Sequence, residues 1–449
     1  MRLPDSWTES SVGELGELQL GKMLDRAKNQ GQPTRYLRNV NVRWFEFDLS
    51  DLNTISASQE EREAYSIHDG DLLICEGGEP GRCAVWDGGQ TELVYQKALH
   101  RFRTHGAVLP RLLMYRLKLD AATGSLDKAF TGTTIKHLTR ESLERYVLPV
   151  PPLGEQRRIV DKLDSLLARV DRCRERLDRV PAILKRFRQA VLASATNGQL
   201  IGVGIGWRQV SVQDVATSIF DGPFGSSLKS ADYSSSGIRV VRLENIAPLA
   251  FVGDKKTYVP QSKYEQLRKH TLLADDVLFS SFVDEQVRVC LLPKGLSGRS
   301  INKADCFCVR VDRTRCLPMF LAMRLACRST FESLEESIHG ATRPRINLQQ
   351  LRSIAFALPS LEEQRLIVES AERLLQLADL IDRRTAVVRK SVDTIAQAII
   401  AKAFRGQLVP QDPSDEPASE LLARIRRERE AVATQTVKKT PAKRRSILP

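Results

Sequence analysis

The chain has 449 residues, long for one compact domain, and 42% of them are hydrophobic, enough to bury cores and to exclude a disordered protein. Lys plus Arg outnumber Asp plus Glu by 68 to 55, a formal net charge of +13 that favours a polyanionic partner. No apolar run approaches the roughly 20 residues of a spanning helix, the first residues lack a signal-peptide core, and the eight cysteines form no zinc-spaced group, so a cytoplasmic protein with reduced thiols, no metal and no membrane partner is expected.

Residues 1–150 read as a mixed α/β head. Strand-like runs cover Arg35 to Val42 and Asp71 to Cys75, separated by loops rich in Gly, Asp and Ser. Basic residues fall in or beside those loops: Lys22, Arg26, Lys28, Arg35, Arg38, Arg43, Lys97 and Lys136, the last followed by His137. Loop cations suit phosphate contacts, and Arg can read guanine with two hydrogen bonds. Gly16 to Lys22 imitates a phosphate-binding loop, but Met23 stands where magnesium coordination needs Ser or Thr.

Residues 151–200 form a spacer helix after Pro151-Pro152. Ile159, Leu163, Leu166, Val170, Cys173, Leu177, Val180, Leu184, Phe187 and Val191 recur at alternating steps of four and three. That is the seam of a coiled coil, about 50 Å long at ~1.5 Å per residue. Glu155 in the first turn and Gly198 at the end suit helix termini, while Pro181 predicts a kink or break near Val180.

Residues 201–358 form a second mixed α/β head, with a strand-like run from Val277 to Ser280. Its candidate DNA contacts are Lys229, Arg239, Arg242, Lys255, Lys256, Arg288, Lys303, Arg343 and Arg345. Residues 359–410 repeat the spacer, with the stripe Ile367, Ala371, Leu374, Ala378, Ile381, Thr385, Val388, Val392, Ile395 and Ile399. Two such stripes predict an antiparallel helix pair within the chain, meeting through Ile159, Leu163, Leu166, Val170, Leu177, Ile367, Leu374, Ile381, Val388 and Ile395, with packing elsewhere or dimerisation as the alternatives. Residues 411–449 are a further amphipathic helix, with Leu421, Leu422 and Ile425 on one side, and a basic tail from Lys438.

The chain is an internal duplication. Gly132 to Leu200 aligns without a gap onto Gly340 to Leu408 at an offset of 208, with 22 of 69 positions identical. The heads echo each other more faintly, as in Trp7 against Trp207, Asn41-Val42 against Asn245-Ile246 and Lys97-Ala98 against Lys303-Ala304. The expected architecture is two mixed α/β heads related by a pseudo-twofold repeat and separated by two long antiparallel coiled-coil helices. No aminomethylation tetrapeptide, nuclease grouping, nucleophile triad or metal cluster stands out, which points to a reader without chemistry of its own. A protein scaffold with two binding heads is the alternative of another class.

Pro152 to Val160, Pro359 to Val368 and the paired Gly-Gln-Leu endings resemble the shared regions of type I restriction–modification specificity subunits; Gly21 to Asp25, Tyr36 to Val42 and Leu408 to Pro413 fit the same family. The resemblance extends to about residue 430. It implies two target-recognition domains, each reading half of a bipartite double-stranded DNA target whose half-sites lie about one turn, ~34 Å, apart. It also implies docking of two adenine methyltransferase subunits, and of restriction subunits. S-adenosylmethionine, ATP and Mg2+ would then reside on those partners, with no cofactor bound by this chain.

Overall fold

The computed structural model describes residues 3–25, 29–89, 92–132, 135–202, 206–285, 287–335 and 345–438. Arg26, Lys28, Arg343 and the basic stretch from Lys439 onward lie outside the described residues. The chain divides into two units: Met1–Arg176 with Val388–Pro449, and Leu177–Val387.

Among the described residues the first unit holds nine strands: β1 (Thr8–Ser11), β2 (Gly16–Leu20), β3 (Gln32–Leu37), β4 (Asn53–Ala57), β5 (Leu72–Cys75), β6 (Cys83–Val85), β7 (Val94–Tyr95), β8 (Leu99–Thr104) and β9 (Val147–Val150). An antiparallel sheet runs β2-β8-β5-β6, and a smaller sheet runs β4-β3-β7 with β3 and β7 parallel. β5 is the unbroken apolar run Leu-Leu-Ile-Cys, buried at all four positions, as a central strand covered on both faces should be. β1 and β9 pair at the base, Thr8 opposite Val150.

The second unit repeats this plan strand for strand. It holds β10 (Arg208–Ser211), β11 (Ala216–Phe220), β12 (Ile238–Val241), β13 (Ile246–Ala247), β14 (Ala250–Phe251), β15 (Tyr258–Val259), β16 (Val277–Ser280), β17 (Val289–Leu291), β18 (Ser300–Asn302), β19 (Cys306–Val311) and β20 (Ala355–Leu358). Its sheets run β11-β19-β16-β17 and β15-β12-β18, with β10 paired to β20. Among the described residues, the small β13–β14 hairpin is the one addition with strand character. The duplication read from the spacers therefore extends through both heads.

Among the helices that frame these sheets are α1 (Pro110–Thr123), α2 (Leu153–Thr196), α3 (Pro318–Leu325), α4 (Leu361–Ala403) and α5 (Ala418–Lys438). α1 and α3 each start with proline at the first turn, where its missing N–H costs nothing. α2 runs through Pro181 as one helix, so of the kink or break expected near Val180 the break does not occur. Pro181 is exposed, so its ring meets water rather than a packed neighbour.

α2 and α4 run antiparallel within each unit. In the first, Ile159, Val160 and Leu163 share a core with Ile400, Ala403 and Phe404, and Arg174 pairs with Asp393 at 2.8 Å. In the second, Val191, Leu192 and Ala195 share a core with Ile367 and Ala371, and Arg188 reaches Asp379 at 2.8 Å and Asp382 at 3.6 Å. Along α2, Leu166, Val170 and Leu177 are half-buried. Along α4 the two halves of the stripe differ. Ala371, Ala378 and Val392 are buried, whereas Ile381, Val388 and Ile395 are 40%, 46% and 50% exposed, with Leu374 half-buried. Leu366, Leu377, Leu380 and Val387 are exposed as well.

α5 closes the first unit. Ala418, Leu421, Leu422 and Ile425 enter the core formed by Trp7, Leu15, Leu148 and Ile159. Arg426 pairs with Glu14 at 2.6 Å, and Arg158 with Asp415 at 2.6 Å.

Candidate nucleic-acid interface

In each head the turns at one end of the four-stranded sheet converge. In the first unit the Lys97 N–H donates to Lys22 O, the Glu76 N–H to Ala98 O and the Leu138 N–H to Glu76 O, all at 2.8–2.9 Å. These bonds bring the loops after β2, β5 and β7 against Leu138 and its neighbour His137, which exchanges two backbone hydrogen bonds with Thr131. Gly77 lies against the His137 ring, where an added Cβ would come 3.3 Å from Nδ1. In the second unit the Ser281 N–H donates to Asp305 O, the Ile346 N–H to Ser281 O and the Lys303 N–H to Val241 O.

The predicted cations divide into three groups on these loops. Arg35, Lys97 and Lys229 are exposed, and among the described residues their side chains carry no ion pair. A second group is exposed or half-exposed and tied to a neighbouring acid: Arg38 to Asp51 (2.7 Å), Arg43 to Asp48 (3.7 Å), Lys136 to Asp127 (2.7 Å), Arg242 to Glu244 (3.5 Å) and Arg345 to Asp305. Arg345 also stacks on Phe282, 4.8 Å from the ring centre, and Lys303 Nζ donates to the Tyr233 hydroxyl. Arg288 is half-buried.

Two candidates are corrected. Lys22 is 3% exposed and pairs with Glu61, and Arg239 is 4% exposed with its guanidinium on the carbonyls of Gly253 and Lys255. A buried cation needs a fixed internal partner, so both hold loops in place rather than face outward.

Apolar tips that composition alone does not mark stand on the same loops. Phe224 is 62% exposed, Ile135 66% and Met23 59%. Phe224 belongs to Asp221-Gly-Pro-Phe-Gly, beside a polar cleft of about 540 Å³ with Lys263, Lys269 and His270. Burial pushes the Asp221 carboxyl up to about 6, with nearby Asp305 adding to the shift.

The doubled Glu-Gln-Arg block has a structural task. Gln156 accepts from the Leu109 N–H and donates to the carbonyls of Ala107 and Pro151; Gln364 accepts from the Leu317 N–H and donates to those of Arg315 and Pro359. The preceding glutamates take the indole N–H of Trp7 (2.9 Å) and Trp207 (3.3 Å). Each block thus welds one head to the start of its spacer helix. Burial raises the Glu155 carboxyl above the usual range, whereas bonds from Ser360 lower that of Glu363.

Among the described residues no group of three or more His, Cys, Asp and Glu is placed to hold a metal, and no helix is long and apolar enough to cross a membrane.

Comparison with known proteins gives a consistent picture. The chain is 26% identical over 478 residues to the StySPI type I restriction enzyme specificity subunit of Salmonella potsdam, covering 99% of each. It is 26% identical to the EcoKI specificity subunit of Escherichia coli K12, over 96% of this chain and 97% of that one. Its fold matches the crystal structure of the HsdS subunit from Thermoanaerobacter tengcongensis with a TM-score of 0.61 and 20% identity, over 91% of this chain and 99% of that one. A chain solved for complex assembly and conformational transition of the type I R-M system gives 0.69 and 21%, over 91% of this chain and 100% of that one. The family model described as type I restriction modification DNA specificity domain matches residues 4–181 and 293–390. With more than half of its length matched, the chain belongs to the type I restriction–modification DNA specificity family, and its role is DNA specificity in such a system.

Proposed function

We propose that the two heads, residues 1–150 and 201–358, each read one half of an asymmetric, bipartite duplex DNA target. In the same reading, residues 151–200 and 359–410 are the spacer that sets the half-site separation, and residues 411–449 secure the first head. The chain performs no catalysis. Two adenine methyltransferase subunits dock on the helix pair and restriction subunits join them, so S-adenosylmethionine, ATP and Mg2+ bind on those partners. The observation that carries this reading is a strand-for-strand repeat of one fold whose loops, and only loosely its frame, have diverged. A shared frame sets spacing, while different loops set different bases.

Within each head, Arg35, Lys97 and Lys229 are the phosphate contacts, and Arg345, aligned by Phe282 and Asp305, is positioned for base-edge reading. Phe224 and Ile135 supply apolar contact to bases. The exposed half of the α4 stripe, from Ile381 through Val388 to Ile395, offers the docking partner an apolar face.

Mapping N6-methyladenine across the host genome with and without the gene tests the reading directly. Loss of methylation at one bipartite motif is expected. Unchanged methylation, together with DNA affinity of the assembled complex that does not fall as salt rises, would reject it.

A further inference from the structure

One cleft of the second unit is lined by none of the loop cations described above. It encloses about 510 Å³ where the Pro248–Leu249 turn, α3, α2 and α4 meet, with Leu249, Met319, Met323 and Leu375 as its apolar walls and Glu372 at its side. Leu249 sits at φ +53 and is held there by its N–H on Val289 O at 2.7 Å. A leucine in the left-handed region is disfavoured, and such residues persist where surrounding structure fixes them.

The duplication supplies an internal template for this cleft. At the repeat offset of 208, Arg111, Tyr115 and Asp164 stand in the places of Met319, Met323 and Glu372; Phe45 stands in that of Leu249 at an offset of 204, the same as Asn41 to Asn245. In the first unit these four close on one another. Arg111 and the Tyr115 hydroxyl both bond the Asp164 carboxylate, and the Phe45 ring lies 5.4 Å from that of Tyr115. Phe45 has φ +72 with its N–H on Cys83 O, so the turn itself is repeated. In the second unit methionines replace both donors. The neighbouring cations are engaged elsewhere, Arg188 with Asp379 and Asp382, and Lys185 with Glu285. Among the described residues the Glu372 carboxylate has no hydrogen bond or ion pair, and the place of the ring is open.

We propose that this cleft receives one aromatic and one cationic side chain from the methyltransferase subunit. The cation pairs with Glu372, and the ring lies between Leu249, Met319 and Met323, whose thioethers suit a ring edge. The proposal rests on the docking reading above and adds to it. The first unit presents the same place already filled by its own side chains, so the two halves hold their partners by chemically different contacts.

Two variants test this. Met319→Arg with Met323→Tyr rebuilds the filling seen in the first unit, and Glu372→Gln removes the charge alone. The full-length chain is titrated with the methyltransferase subunit of the same system, bound copies are counted by native mass spectrometry, and each variant is melted in parallel. The wild-type chain is expected to take two copies, and the double variant to take them with one of the two binding steps weakened by roughly 30-fold, without loss of thermal stability. Glu372→Gln is expected to weaken one of the two binding steps by roughly 30-fold, the effect of removing an interface hot spot. Two copies at unchanged affinity for both variants overturns the cleft proposal while the docking reading stands. A wild-type chain that binds no copy overturns the docking reading and the proposal with it. Should the double variant melt early, Glu372→Gln decides alone, because it removes charge and no packing.

Discussion

Gln156 and Gln364 are fully buried, and each makes three hydrogen bonds to backbone groups. Replacing either by alanine leaves buried N–H and C=O groups unpaired, at about 1–3 kcal/mol for an unsatisfied group. Chemical denaturation of Gln156→Ala and Gln364→Ala is expected to show losses of about 2–4 kcal/mol each; losses near zero would mean that the weld is not structural. The Glu-Gln-Arg block is visible in the sequence as a repeat, but this task is not, because the partners are main-chain atoms up to 49 positions away. Basic residues are equally ambiguous in sequence: Lys22 and Lys97 look alike, yet one is buried against Glu61 and the other is exposed. Lys97→Ala should weaken DNA binding by the assembled complex at every sequence and reduce the salt slope by about one. Lys22→Met should instead lower thermal stability, and equal effects of the two on the salt slope would contradict the assignment. Asp221, raised to about 6, provides a pH signature. Its folded-state value lies above the unfolded one, so the stability it contributes is present at low pH and is lost as pH rises through about 6. Protonation also removes a negative charge close to Asp305, Arg345 and the His270 ring, so DNA affinity should rise as pH falls through 6, and Asp221→Asn should flatten that rise.

At the level of elements, the period of the spacer helices was the most legible feature, since steps of four and three over ten positions admit little besides a helix pair. Which half of the stripe faces inward was not legible. In α4 Ile367, Ala371, Ala378 and Val392 are buried, while Ile381, Val388 and Ile395 stay exposed. Hydropathy alone does not separate the buried Ile367 from the exposed Ile381. Pro181 does not end the helix because its cost, about 3 kcal/mol, is outweighed by the packing of the 44-residue helix at both ends, through Ile159, Val160 and Leu163 and through Val191, Leu192 and Ala195. Pro181→Ala restores one backbone donor and removes a ring clash, so it should stabilise the chain by about 1–3 kcal/mol in thermal unfolding. A neutral or destabilising result would show that the proline shapes the helix for a purpose.

For the molecule as a whole, the first unit is assembled from two distant stretches, Met1–Arg176 and Val388–Pro449, whereas the second is one continuous stretch, Leu177–Val387. The amphipathic pattern of Leu421, Leu422 and Ile425 announced a helix in the sequence, but not its location, because nothing local specifies a partner 400 positions earlier. Removing the chain from residue 411 onward strips Ala418, Leu421, Leu422 and Ile425 from the first core, each large side chain worth about 1.5–3 kcal/mol when fully buried. Hydrogen exchange is expected to show lost protection throughout the first unit and none in the second; uniform loss would mean that the units do not unfold separately. The same discontinuity governs biosynthesis. The ribosome must add the 211 residues from Leu177 to Val387 before the segment that completes the first core begins to emerge, a delay of roughly 10–40 s at about 5–20 residues per second. Throughout that interval the earliest-made domain waits with part of its apolar surface uncovered, while the later-made one has all of its sequence in hand and can finish first. Chaperone demand, and losses to proteolysis during synthesis, should therefore fall on the N-terminal half of this protein.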